Sequence, residues 1–396
     1  MLKQISVITA LLCTVFIFEY CSKKNTDAIA SQSYPAITAA FGNNIDPNNF
    51  ANYAAQPKPN YIVKDNTGAN PITNGKATIG RVLFYDKSLS IDNTIACASC
   101  HKQTFAFGDT AIQSKGVSGG LTGRHSMRLV NARFANEAKF FWNERAATLE
   151  VQTTQPIQDH AEMGFSGQTG RQNLNDLLNK LKGIGYYQEL FTAVYGDVNV
   201  TEARLQECLS QFIRSIQSFD AKYDAGRALV NNDNQNFPNF SASENAGKNL
   251  FNTPPTFDAT GNRIAGGLGC GGCHAAPEFD IDPNTRNNGI IGIINATGID
   301  INNTRSPSLR DLLRNGVPNT PMMHTGVFTT VQQVIGHYGN ITIAPGNTNL
   351  DPRLRPNGVG QKLNVTATEV NNVIAFMNTL SGNNVYTDVK WGNPFK

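Results

Sequence analysis

Charge is scarce in this chain. Of its 396 residues only 16% are Asp, Glu, Lys or Arg, and the formal net charge is +3. A nucleic-acid-binding face needs clustered positive charge, so DNA and RNA are excluded as partners. Long apolar runs are missing too. After the N-terminus no stretch approaches the roughly twenty apolar residues that span a bilayer, which excludes an integral membrane channel or transporter. Long alternating strands are absent. What is present is a chain with 40% hydrophobic residues, enough to build a sizeable core, and a length that suggests roughly two to three domains.

The N-terminus reads as export. Lys3 precedes an apolar run from Ile5 to Phe18, and Cys21 is followed by Ser22, Lys23 and Lys24. That is the order of a signal peptide, with Cys21 at the lipidation position of a bacterial lipoprotein. Glu19 and Tyr20 stand where small residues usually precede such a cysteine, so simple cleavage or retention as an anchor are the alternatives. Residues 1–21 are assigned to the signal and the mature protein to the periplasm, lipid-anchored to a membrane. Residues 22–75, rich in Asn, Pro, Ala, Ser and Gly without apolar periodicity, read as a flexible arm. A second polar break, Asn231 to Asn239, reads as an interdomain linker, which leaves domains at 76–230 and 240–385.

Between these breaks the periodicity is helical. Thr201 caps a stripe of Leu205, Cys208, Leu209, Phe212, Ile216 and Phe219. Thr366-x-x-Glu369 and Ser241-x-x-Glu244 are capping-box patterns. The first of these precedes Val370, Val373, Ile374, Met377 and Leu380, with Gly382 past the end. The expected fold is all-α with long Gly-, Asn- and Pro-containing loops. Cys208, on its apolar stripe, is read as core.

The chemistry begins at two identical spacings. Cys97-Ala-Ser-Cys100-His101 and Cys270-Gly-Gly-Cys273-His274 both read CxxCH. Two thiols at this spacing form thioethers to the haem vinyls, and the adjacent imidazole reaches the iron. Three other readings weigh less. One structural zinc would make each following His a coincidence. A disulfide inside CxxC closes a tiny loop. Thioredoxin-like chemistry wants a βαβ pattern that is not here. Two covalently bound haem c groups are the assigned cofactors.

An internal repeat extends this reading. Gly80-x-x-Leu83-Phe84 precedes the first motif and Gly247-x-x-Leu250-Phe251 the second; Phe107-Gly108-Asp109 and Phe279-Asp280 follow them. Arg124-x-Ser126-x-Arg128-Leu129 pairs with Arg305-Ser306-x-Ser308-Leu309, and Phe140-Phe141-Trp142 with Met322-Met323-His324. The chain reads as two cytochrome c-like units in tandem. Fourteen positions after Trp142 stands Pro156, and fourteen after His324 stands Tyr338. A pyrrolidine ring cannot ligate iron, so the first haem is expected to keep an open position and the second to be closed by a side chain.

At these residues the sequence resembles the bacterial dihaem cytochrome c peroxidases and the related MauG-type enzymes, from about Gly80 to Leu380. The stretches that carry the likeness are Phe141-Trp142-Asn143-Glu144-Arg145-Ala146, Pro156-Ile157-Gln158-x-x-x-Glu162-Met163 and Pro321-Met322-Met323-His324-Thr325-Gly326. The resemblance implies that Glu162 is the distal acid/base over the first haem, that Gln152 and Pro156 line its pocket, and that Trp142 lies between the haems. It also implies one calcium, on the Asn131 side chain and backbone carbonyls near Asn319 and Pro321. Glu162 has a physical case of its own, since cleaving a peroxide needs a group that takes a proton from one oxygen and delivers it to the other. The plain alternative is a solvated glutamate at a helix end.

Two features depart from the peroxidase pattern. The loop from Ser114 to Leu121 lacks the histidine that closes the first haem in the oxidised peroxidases; the nearest is His125. Tyr338 stands where those enzymes carry a methionine, and tyrosine there is the MauG-type choice. His337, Met322 and Met323 compete with it as ligands. His160 and His324 are read as structural, with His324 near a haem propionate or loop, and Arg124 and Arg305 as propionate partners. The expectation is a peroxidase that reduces hydrogen peroxide with electrons from a small cytochrome c or cupredoxin, with a homodimer as one assembly. The alternatives are a MauG-like oxidase acting through high-valent haem on a protein or organic substrate, and a dihaem electron-transfer or sensor module without turnover.

Overall fold

Helices form where the sequence supplies caps. The structure, a computed structural model, describes residues 32–136, 139–281 and 284–396; the export signal lies outside them. In chain order the helices are α1 (Pro35–Phe41), α2 (Asn74–Tyr85), α3 (Cys97–Cys100), α4 (Leu149–Gln158), α5 (Leu174–Lys182), α6 (Gly185–Tyr195), α7 (Glu202–Ser215), α8 (Lys222–Arg227), α9 (Ala242–Asn252), α10 (Val331–Gly339), α11 (Ala367–Asn378) and α12 (Asn384–Thr387). Thr201 caps α7 by accepting from the Arg204 N–H. Ser241/Glu244 and Thr366/Glu369 form complete capping boxes on α9 and α11. Each such cap is worth about 1 kcal/mol. Helix α7 stops at Ser215, so Ile216 and Phe219 of the expected stripe lie beyond its end.

The all-α expectation needs one correction. Three antiparallel ribbons are present: β1 (Pro255–Phe257) with β2 (Arg263–Gly266), β3 (His274–Ala275) with β4 (Asp280–Ile281), and β5 (Leu313–Arg314) with β6 (Val317–Pro318). They are two to four residues long, too short to show an alternating pattern in sequence. Among the described residues no helix is long and apolar enough to cross a membrane.

The repeat read from sequence recurs in packing. At Gly80 of α2 an added Cβ would lie 2.0 Å from the Cys208 carbonyl oxygen and 2.8 Å from Phe212 Cβ of α7. At Gly247 of α9 it would lie 1.9 Å from the Asn372 carbonyl oxygen and 2.9 Å from Phe376 Cβ of α11. Both glycines let two helix backbones touch where a side chain has no room. Aromatic rings fill in beside each crossing: Phe84 meets Phe212 at 5.2 Å and Phe107 at 5.9 Å, while Phe251 meets Phe376 at 5.4 Å and Phe279 at 5.8 Å. Each crossing sits in its own hydrophobic cluster. One runs from Ile37 to Ile216 and the other from Tyr223 to Leu380, and Val385, Tyr386 and Trp391 return to the first.

The flexible arm expected over 22–75 is corrected from Tyr34 onward, where it belongs to one compact unit ending at Lys396. Ile37, Phe41, Tyr53 and Ile62 are buried. The Tyr53 hydroxyl donates to the Lys390 carbonyl at 2.6 Å. Apolar residues this sparse, with only Ile37 and Phe41 at helical spacing on the short α1, hid this packing from the sequence. The 231–239 segment is also tied down, for Phe237 is buried and Lys248 Nζ donates to the carbonyls of Asp233 and Gln235.

Candidate active site

Two cavities of nearly equal volume, about 510 and 490 Å³, each carry one CxxCH motif on the wall. Cys97, Cys100 and His101 face the first; Cys270, Cys273 and His274 face the second. None of these four cysteines is in a disulfide. They sit in different cavities, and among the described residues no cluster of three or more His, Cys, Asp or Glu is placed to hold a metal ion. A shared zinc site is thereby removed.

The donor chemistry fits haem. His101 Nδ1 lies 3.1 Å from the Phe107 carbonyl oxygen, which fixes Nδ1 as the donor and leaves Nε2 with its lone pair. Burial lowers the affinity of both imidazoles for protons, with His274 brought down to about 4, so both rings are neutral, the form that can ligate iron. Cavities of this size and partly apolar lining suit a planar cofactor. Arg128 supplies a further sign. It lines both cavities, burial lowers its pKa to about 10, and its buried Nε has no partner. A buried cation with an unused N–H calls for an anion, such as a haem propionate. Arg124 and Arg305, expected in that role, are engaged instead: Arg124 pairs with Asp300, and Arg305 lies 3.8 Å from Asp280 and bonds the Lys139 carbonyl.

The lining of the first cavity includes Glu162, Gln152, Pro156 and Trp142 together with His101. Pro156 lies inside α4; lacking an N–H, it leaves the Gln152 carbonyl without its helical donor. Glu162 follows α4 on a turn held by Asp159, whose Oδ1 accepts from the Ala161 N–H at 2.8 Å and the Glu162 N–H at 3.1 Å. Burial, with a further push from Asp159 and partial relief from Arg145, raises the Glu162 carboxyl to about 7. A carboxyl with that affinity both takes and gives a proton near neutral pH. The loop without histidine braces this turn. At Gly116 an added Cβ would lie 1.9 Å from the Ala161 carbonyl oxygen and 2.7 Å from that of Glu162.

Trp142 lines both cavities. Its indole N–H donates to the His125 carbonyl at 2.6 Å, and its own carbonyl accepts from the Arg305 N–H at 2.7 Å. The wall between the cavities also contains His125, Ser126, Met127, Arg128 and Pro307. Sequence reasoning missed this wall, although the matched Arg-and-Ser pattern of the repeat marked its location.

Tyr338 of α10 lines the second cavity, as do His274, Met322 and Met323. Its hydroxyl points to the Met323 sulfur at 4.0 Å, and burial together with Cys273 pushes the phenol's pKa up. His337 leaves the competition, since it is not on the cavity wall and its Nε2 lies 2.9 Å from the Asn288 carbonyl oxygen. His160 bonds Ser166 at the exposed surface. His324, buried, lies 6.2 Å from Trp142 ring to ring. Cys208 is buried, its sulfur 3.3 Å from the Tyr195 hydroxyl.

The side-chain amides at the expected calcium position are engaged with the chain itself. Asn131 Oδ1 accepts from the Ser218 N–H at 2.9 Å while Nδ2 donates to the Ser218 carbonyl at 3.2 Å. Asp311 holds the corresponding place in the second half, accepting from the Gly382 N–H at 2.9 Å, and both residues have positive φ. Asn131 is thus a clamp on the chain leaving α7. The Asn319 amide donates to the Asp311 carbonyl and the Tyr386 hydroxyl, both at 2.7 Å. Calcium takes six to eight oxygens, carboxylates prominent among them, and the expected set supplies none.

Residues 74–233 match the family model described as di-haem cytochrome c peroxidase. Methylamine utilization protein MauG from Methylophilus methylotrophus is 29% identical over 325 residues, covering 79% of this chain and 84% of its own length. Cytochrome c551 peroxidase from Nitrosomonas europaea is 25% identical over 318 residues, 77% of this chain and 80% of its own. The crystal structure of a MauG-like protein associated with microbial copper homeostasis superposes with a TM-score of 0.66 at 25% identity, over 85% of this chain and 98% of that one.

Proposed function

This chain belongs to the di-haem cytochrome c peroxidase and MauG family, and from that premise we propose that it reduces hydrogen peroxide to water at the first cavity with electrons delivered through the second. When bound, the two haem c groups supply the redox-active iron. Cys97, Cys100 and His101 hold one, and Cys270, Cys273 and His274 the other. Glu162 takes the proton from the nearer peroxide oxygen and returns it to the departing one. Its half-titrated state near neutral pH suits both steps. Gln152 donates a hydrogen bond that orients the peroxide, Arg145 balances charge beside Glu162, and Trp142 joins the two cavities. A small cytochrome c or cupredoxin is the donor. The protein works in the periplasm, exported by residues 1–21 and anchored through Cys21.

The observation that carries this reading is the asymmetry of the walls: Pro156 and Glu162 stand in the first cavity and Tyr338 in the second. The second reading, a MauG-like oxidase of a protein or organic substrate, is favoured by Tyr338 itself and by a 114–121 loop without histidine.

Stopped-flow absorption of resting, oxidised protein mixed with a small excess of hydrogen peroxide, with EPR of the resting state, decides between them. Mixed high-spin and low-spin signals, rapid reaction and return to rest with donor cytochrome support the peroxidase. A long-lived oxidised species indifferent to cytochrome supports the oxidase. Two low-spin signals and no reaction sink both readings, leaving electron transfer or sensing without turnover.

A further inference from the structure

Peroxide takes two electrons, and a site that has received only one from its donor draws the second from its own side chains. The easiest to oxidise are phenols seated on a base, because a phenol that loses an electron also sheds its proton. Asp86, at the end of α2, is such a base. Its Oδ2 accepts from both the Tyr186 and the Tyr187 hydroxyl at 2.7 Å, while Oδ1 is committed to the Ser88 N–H at 2.8 Å. The two rings are 4.8 Å apart.

These residues run from the first cavity outward. Phe84, two positions before Asp86, is on the cavity wall with Cys97. Tyr187 is fully buried and lies near Cys97. Tyr186 is half-buried, its ring against Phe41 and Phe395. Neighbouring phenols lack the same arrangement. Tyr85, whose ring lies 5.3 Å from Phe84, donates to the Trp391 carbonyl, and Tyr53 donates to the Lys390 carbonyl. Neither amide oxygen takes up a proton. Tyr195 does reach a carboxylate, Glu207, but Lys76 neutralises it and Phe191 stands between Tyr195 and Tyr187.

We propose that Tyr187 and Tyr186, through the carboxylate of Asp86, form a relay that carries one oxidising equivalent from the first cavity to the protein surface when the electron donor runs short. The inference rests on the peroxide chemistry proposed above. Hydrogen peroxide is the oxidant; it takes one electron from the donor side and one from Tyr187, with two protons from Glu162 and solvent, to give two waters. At Tyr187 the O–H bond breaks, the electron leaves toward the cavity and the proton moves to Asp86 Oδ2. Tyr186 then reduces Tyr187: its electron passes between the rings, Asp86 returns its proton to Tyr187 and takes the one from Tyr186. The oxidising equivalent ends on the half-buried ring, where a small reductant in solution removes it. Burial beside Asp86 pushes the pKa of both phenols up, so neither proton leaves until an electron does.

The test mixes haem-loaded protein, given one electron per molecule by its donor and no more, with one equivalent of hydrogen peroxide, and freezes samples for EPR. Protein grown on ring-deuterated tyrosine identifies tyrosyl signals by narrowing, and a nitroso spin trap with peptide mass mapping locates the exposed radical. A tyrosyl radical is expected, lost several-fold in Tyr187→Phe and Asp86→Asn and unchanged in Tyr85→Phe. Tyr186→Phe keeps the radical but loses the trapped adduct. Donor-driven turnover of Tyr187→Phe stays at the parent level, which separates the relay from folding. Peroxide consumption without a tyrosyl signal, or a signal indifferent to Tyr187→Phe, overturns the relay alone. Absence of peroxide consumption overturns the proposed function and the relay with it.

Discussion

Trp142 donates its indole N–H to the carbonyl of His125 at 2.6 Å, and this bond holds an indole ring that lines both cavities. Trp142→Phe keeps an aromatic ring but loses the donor, at a stability cost of about 1 kcal/mol. Donor-driven turnover is expected to fall at least tenfold, about 1.4 kcal/mol of barrier. The first reaction with peroxide, followed by stopped-flow, stays within a factor of about two, well under that 1.4 kcal/mol. Equal losses in both assays would place Trp142 in the peroxide pocket rather than between the cavities.

Glu162 sets the pH profile. Its carboxyl, raised to about 7, must be ionised to accept a proton, so the peroxide reaction rate should climb as pH rises through about 7. Stability runs the other way. The folded state holds this proton more tightly than the unfolded chain, so its contribution is full below the ordinary carboxylate range and is lost as pH rises through about 7. Glu162→Gln is expected to cost roughly 10²- to 10⁴-fold in rate and to raise Tm at pH 8 relative to the parent. A flat rate profile in the parent would remove Glu162 from proton transfer.

Gly116 is tested through its neighbour. In Gly116→Ala the new methyl collides with the Ala161 and Glu162 carbonyls. The overpacking costs about 1–3 kcal/mol, read by denaturant unfolding, and the displaced turn shifts the pH midpoint of the peroxide reaction. An unmoved midpoint with a lowered rate would mean that the loop braces the fold and not the carboxyl.

Tyr338→Phe keeps the ring and removes the oxygen from the second cavity. Absorption and EPR of the second haem should change while those of the first stay as they were. Tyr338→Met should raise the second haem's reduction potential, since thioether ligation favours the reduced iron, and potentiometry reads this directly. Unaltered spectra in both variants would assign closure of that haem to Met322 or Met323.

Much of this arrangement was legible in the sequence because it rests on local rules. The caps at Thr201, Ser241 and Thr366 lie beside the helices they start, and each CxxCH motif carries its chemistry in five consecutive residues. The glycines at 80 and 247 were visible as a repeat, though not as the points where helices touch. Arg128 was hidden because its unused N–H becomes apparent only when two distant segments enclose it. Asn131 misled for a related reason. A buried asparagine with two amide partners and one with a metal look alike until the partner, Ser218, is folded beside it. The 34–75 segment escaped because its one helix, α1, spans only seven residues with two buried, Ile37 and Phe41, and the buried residues after it, such as Tyr53 and Ile62, are widely spaced.

The return of the C-terminal segment to the first cluster bears on how the protein is made. Residues 44, 53, 81 and 85 are fastened to residues 390–394: the Asn44 amide to the Pro394 carbonyl, Tyr53 to Lys390, Arg81 to Gly392 and Tyr85 to Trp391. Trp391 itself is buried in that cluster. A ribosome therefore releases the first half of the chain long before the segment that seals it exists. Until residues 390–394 arrive, the half that encloses Cys97 and Cys100 lacks the four carbonyls that fasten it shut.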